Sequence, residues 1–204
     1  MLSVRDLRRS VPVITRREWL AGAGGIVALG AAGLWYFWPL SRRPVGQIGG
    51  PFDLIDADGA AYTFQDIQGK PSIVYFGFTH CPDICPTILF QMSEVLRRLG
   101  PDAANVNALF ITVDPDRDTP TQMKTYLSVF DPHLRGLTGD EAHLAIAWDA
   151  FGVEAEIVPT TSDNYNMDHT SKVFVLDKAG RFSTTLDMNM PPDTAVAILR
   201  ALLI

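Results

Sequence analysis

Cys81 and Cys85 are the only thiols in this 204-residue chain. Three residues separate them in Phe76-Gly77-Phe78-Thr79-His80-Cys81-Pro82-Asp83-Ile84-Cys85-Pro86-Thr87. A pair so spaced can close a disulfide, exchange one with another protein, or hold a soft metal ion. The apolar run before the pair reads as a strand, and the residues after it as a helix with Pro86 suited to an early position. Unpaired N–H groups at a helix start stabilise a thiolate and lower the thiol pKa. A structural disulfide or two inert buried thiols is the plainer reading, but neither needs a proline-rich, helix-opening setting.

Thiolates favour Cu(I) and zinc, and two ligands leave either ion incompletely held. A third ligand has four histidine candidates. His80 adjoins Cys81, and neighbouring strand residues point to opposite faces, so both reaching one ion is disfavoured. His133 and His143 flank polar helical segments and read as solvated. His169 lies in the polar stretch Asp163–Ser171, which runs directly into an apolar strand; taken alone it is either a hydrogen-bonded loop histidine or a ligand. Met167, Met188 and Met190 could offer thioethers, but isolated methionines usually pack. The segment Val113-Asp114-Pro115-Asp116-Arg117-Asp118-Thr119-Pro120 reads as a turn and helix start, since hard carboxylates suit copper poorly beside thiolates.

The periodicity outlines the elements that must position these groups. Phe52–Ile55 and Ala61–Phe64, joined by Asp56-Ala57-Asp58-Gly59, predict a hairpin. Pro71–Phe78 predicts a buried strand, and Pro86–Leu99 a helix stopped by Gly100-Pro101. A strand follows at Asn107–Val113, then helices at Thr119–Phe130 and Glu141–Phe151 and a strand at Glu154–Val158. Lys172–Leu176 and Phe182–Leu186 predict a second hairpin, and Asp193–Leu203 a closing helix. Alternating strands and helices require a central sheet covered by helices. The order describes an α/β, thioredoxin-like fold: a mixed central sheet flanked by helices, with an N-terminal hairpin. In such sheets the functional crevice lies beyond the carboxyl ends of the strands, where the cysteines fall.

Ahead of this domain (51–204) the chain reads as three segments: a basic cytoplasmic N-terminus over 1–19, a transmembrane signal-anchor over 20–40 and a linker over 41–50. Residues 20–40 carry no charge and end in Leu34-Trp35-Tyr36-Phe37-Trp38, long enough to cross a bilayer and aromatic at the interface. Arg5, Arg8, Arg9, Arg16 and Arg17 precede it against Arg42 and Arg43 after it, which sends the domain outward. The absence of an A-x-A-like site before Arg42 favours an uncleaved anchor over a removed signal peptide. Arg16-Arg17 also matches a twin-arginine export signal, leaving two export routes open. Residues 44–204 hold 10 Lys and Arg against 21 Asp and Glu, a net charge near −11, which argues against a nucleic-acid partner.

Three segments together, Phe76–Thr87, Val113–Pro120 and Asp168-His169-Thr170, resemble the Sco/SenC family of membrane-anchored copper proteins. The resemblance covers most of residues 45–204 with the segments in matching order and spacing. It implies a thioredoxin fold holding one copper ion, Cu(I) or Cu(II), through Cys81, Cys85 and His169, with Asp168 either orienting His169 or serving as a turn residue. It further implies a metallochaperone rather than an enzyme. The expected recipient is the dinuclear copper centre of cytochrome c oxidase subunit II or a similar cuproprotein, with a separate protein as copper donor. The expected location is the cell inner membrane, single-pass, with the domain on the periplasmic side. The rival expectation is a thiol–disulfide reductase acting on the recipient's cysteines through Cys81 and Cys85. A peroxidase on the same fold has no supporting residue beyond the thiols. A blue-copper carrier would need two histidines beside one cysteine.

Overall fold

Ser72–Gly77 (β3) is buried at every position, and its Ile73-Val74-Tyr75-Phe76 centre is the branched and aromatic composition that a fully covered strand demands. A computed structural model describes residues 48–160 and 165–204. The basic N-terminus over 1–19, the anchor over 20–40 and most of the linker lie outside the described residues. Among the described residues no helix is long and apolar enough to cross a membrane.

Along the chain the strands are β1 (Asp53–Asp56), β2 (Ala61–Thr63), β3, β4 (Asn107–Thr112), β5 (Leu134–Thr138), β6 (Ala155–Pro159), β7 (Tyr165–His169), β8 (Val173–Leu176) and β9 (Phe182–Leu186). The helices are α1 (Ile84–Leu99), α2 (Pro120–Leu127), α3 (Glu141–Phe151) and α4 (Pro192–Leu203). Seven strands form one mixed sheet in the order β2-β1-β5-β4-β3-β8-β9. Its centre is parallel, β3 with β4 and β4 with β5, while β1 and β8 pair antiparallel on either side. The mixed α/β architecture and both hairpins agree with the expected fold. At the N-terminal margin, Gly49 donates its N–H to the Ala150 carbonyl at 2.8 Å, and Ile48 packs against the core.

Three features differ from expectation. Leu134–Thr138, given no element in the sequence reading, is the strand that joins β4 to the N-terminal hairpin. Its central Gly136 weakens the strand pattern, yet a Cβ there would stand 2.7 Å from Leu127 Cδ1; α2 packs directly on the bare backbone. The polar stretch expected as a loop contains β7, which pairs antiparallel with β6 in a separate two-stranded sheet, Ala155 opposite His169 and Pro159 opposite Tyr165. Finally, β3 ends at Gly77 and α1 begins at Ile84. Cys81 therefore lies in a turn beyond the strand rather than at its end, and Cys85 lies inside the first helical turn.

Candidate metal centre

The turn after β3 is tied to the loop after β4 through one carboxylate. Asp118, fully buried, accepts from the Thr79 N–H at 3.0 Å, the Thr79 hydroxyl at 2.6 Å and the Thr112 hydroxyl at 2.7 Å. These bonds compensate much of the desolvation that raises its pKa, and without them a carboxylate this deep would strongly destabilise the fold. The result is a rigid approach to Cys81, whose N–H closes a turn onto the Phe78 carbonyl at 3.3 Å.

Asp83 precedes α1 but its side chain makes no capping bond. The Cys85 N–H points instead at Cys81 Sγ, 3.5 Å away. The sulfur thus occupies the place of a capping oxygen. Cys81 is half-buried and Cys85 fully buried, and neither forms a disulfide.

Cys85 Sγ receives the Tyr75 hydroxyl at 3.3 Å and lies 3.6 Å from His169 Nε2. Room for it depends on Gly77, since a Cβ there would stand 3.0 Å from that sulfur and 2.9 Å from Phe110 Cε2. His169 is braced by Phe78 and Tyr75, ring centroids 5.7 Å and 6.3 Å away. Its Nδ1 faces the Thr170 carbonyl at 3.2 Å. A carbonyl only accepts, so Nδ1 carries the proton and the Nε2 lone pair faces the thiol, the tautomer a metal ligand needs. Burial lowers the His169 pKa, which keeps the ring neutral and able to coordinate near neutral pH. Asp168, on the opposite face of β7, is exposed and makes no bond to the ring; it acts on His169 only through its charge. With Glu154 and Glu156 it lines an acidic cleft bordering His169.

Burial pushes the Cys85 thiol up to about 12 from an ordinary 9.0. The folded chain thus holds this proton more tightly than the unfolded chain. The associated stability is complete below pH 9 and is lost as pH climbs towards 12, at about 1.4 kcal/mol per pH unit. Urea unfolding of the reduced, metal-free chain between about pH 8 and about pH 10.5 should show the parent losing stability faster than Cys85→Ala. Tyr75 and Tyr126 are raised chiefly by burial, which adds a slope to both proteins, while the smaller part of their shifts that comes from Cys85 disappears with the sulfur and widens the difference. Parallel curves would mean that Cys85 titrates normally.

Among the described residues, the trio whose His, Cys, Asp or Glu ligand atoms all lie within 4.8 Å of one another is His80, Asp114 and Asp118. Their oxygens are already committed, Asp118 to Thr79 and Thr112 and Asp114 to Arg117 and Tyr165. This trio is a structural lock. His80, being in a turn and not in a strand, escapes the alternation argument, but its Nδ1 faces Thr79 and Asp118 at 3.1 Å and 3.7 Å. The two sulfurs and His169 Nε2 form no such closed trio; of the two sulfurs it is that of Cys85 that His169 meets, at 3.6 Å. His133 and His143 pair with Asp131 and Asp140 at the surface. Met167, Met188 and Met190 pack against the core. Residue order gave no sign of the Asp118 lock or of Tyr75, because both depend on contacts across separate strands.

An α/β domain that presents a thiol pair and a neutral imidazole at the carboxyl edge of its parallel strands is a protein of soft-metal or thiol chemistry. The chain belongs to the SCO1/SenC family, whose model matches residues 41–204. It is 38% identical over 156 residues to a SCO2-like protein of Rickettsia conorii, covering 76% of each. Among solved structures it is similar to Bradyrhizobium japonicum ScoI with copper bound, at 51% identity and a TM-score of 0.75, covering 76% of this chain and 99% of that one. Yeast Sco1 with copper bound follows at 36% identity and a TM-score of 0.70, covering 76% and 87%.

Proposed function

We propose that this chain is a copper chaperone in which Cys81, Cys85 and His169 hold one copper ion as cargo. The observation that carries the reading is the 3.6 Å approach of His169 Nε2 to Cys85 Sγ, across 84 residues of sequence and with the ring in the ligating tautomer. Two thiolates and an imidazole suit Cu(I) and tolerate Cu(II). A three-ligand set leaves room for an incoming ligand to begin displacement before release is complete. Copper bound to solved relatives supports this assignment. One structural neighbour, BsSco, is described as a member of the Sco family of cytochrome c oxidase assembly proteins; the recipient in this reading is the dinuclear copper centre of subunit II or a similar cuproprotein. Residues 20–40 tether the domain to the outer face of the inner membrane in this reading.

One observation favours a second activity at the same pair. Cys81 is the accessible sulfur at a helix start and Cys85 is the buried one behind it. That asymmetry suits disulfide exchange. The Cys81 thiolate attacks a partner disulfide and releases one partner thiolate; Cys85 then attacks Cys81 Sγ, forming the intramolecular disulfide and releasing the second thiol. Two electrons pass from the pair to the partner.

The test is anaerobic Cu(I) titration of the reduced full chain in mild detergent, followed by mixing with an apo subunit II fragment. One ion per chain, moving to the fragment, is the expected result. Copper retained on this chain under every condition would refute the chaperone role.

A further inference from the structure

We propose that Arg117 is a positioning residue that sets how firmly His169 is presented to the cysteine pair; this rests on the copper reading above. His169 is carried by the two-stranded β6–β7 sheet, separate from the main sheet. Something must hold that unit against the cysteine turn. At the other end of β7, the Tyr165 hydroxyl donates to Asp114 at 2.7 Å and the Tyr165 carbonyl accepts from Arg117 Nη1 at 2.9 Å. The guanidinium lies 3.6 Å from the Tyr165 ring centroid, a close cation–π stack. Its Nε donates to Asp114, which is itself almost fully buried.

The same guanidinium lies 5.8 Å from the Phe78 ring, and Phe78 meets the His169 ring edge-on at 5.7 Å. Phe78 therefore stands between the clamp and the ligand, just upstream of Cys81. Tyr165, Met167 and His169 share one face of β7, the less exposed one. A strand is stiff along its length, so gripping Tyr165 restrains His169 roughly 14 Å further on. Because Arg117 and Asp114 follow β4, next to the Asp118 lock, one loop fixes both the cysteine turn and the histidine strand.

The expected consequence is selective for oxidation state. Cu(I) is satisfied by two thiolates, whereas Cu(II) leans on the imidazole. In the full chain, Arg117→Met should weaken Cu(II) binding by roughly 10–100-fold, the range seen when a ligand's supporting contacts are lost. It should leave Cu(I) affinity within about threefold. In the metal-free chain the amides of 165–169 should exchange faster with solvent. Tyr165→Phe, which removes only the hydroxyl, should shift both readouts the same way but less. It also carries the test if Arg117→Met fails to fold.

His169→Ala separates the outcomes. If it abolishes tight Cu(II) binding while folded Arg117→Met and Tyr165→Phe leave Cu(II) affinity and amide exchange unchanged, the clamp is wrong and the copper reading stands. Equal losses of Cu(I) and Cu(II) in Arg117→Met would also overturn the clamp, as a general loosening of the cysteine turn. Parent-like Cu(II) binding in His169→Ala would remove the copper reading and the clamp with it.

Discussion

Alanine in place of His169 should cut Cu(II) affinity by more than about 100-fold and Cu(I) affinity by less than about tenfold. Loss of a contact that merely orients a ligand already costs roughly 10–100-fold, so loss of the ligand itself exceeds that range. The asymmetry follows from ligand softness, since Cu(I) accepts a dithiolate and Cu(II) needs the nitrogen. The ring also packs on Phe78 and Tyr75, so the truncation should lower stability by about 1–3 kcal/mol. His169→Gln, closer in volume, separates that packing loss from ligation. Competition titrations with Cu(II) and Cu(I) chelators check the result. Disulfide exchange, which needs only the sulfurs, should persist in both variants.

Serine at position 85 should abolish copper binding in both oxidation states and stop completed disulfide exchange. A hydroxyl near neutral pH is not a soft anion, so Cu(I) would keep one thiolate and affinity should fall by well over about 100-fold. The fold should survive, because serine is nearly isosteric and its oxygen can still accept from the Tyr75 hydroxyl. A stability change within about 1–2 kcal/mol is expected. If Cys81 is the attacking sulfur, Cys85→Ser should instead trap a mixed disulfide with a partner peptide. Mass spectrometry of the trapped species reads this directly. Normal Cu(I) stoichiometry in Cys85→Ser would exclude Cys85 as a ligand.

Most of the main sheet was readable because its strands and helices carry their own periodicities. The exceptions share a cause. Leu134–Thr138 has an arginine and a glycine at its centre, and only the packing of Leu127 and Met123 onto Gly136 explains why a strand tolerates them. In Tyr165–His169 the alternation of inward Tyr165, Met167 and His169 with outward Asn166 and Asp168 was present. Asn, Asp and His are weak strand formers, however, and the pattern needed Ala155–Pro159 opposite it to become β.

The same division runs through the candidate site. Residue order was enough to mark a sulfur pair opening a helix after a buried strand, because spacing of a few residues is governed by local backbone geometry. Residue types alone left His169 open between a loop histidine and a ligand, and only the family resemblance singled it out; its contact with Cys85, which sulfur is hidden, and which carboxylate and arginine lock the surrounding loops became visible only in the folded chain. Those are contacts between segments tens of residues apart, and they are chosen by strand pairing and burial, which no local spacing records.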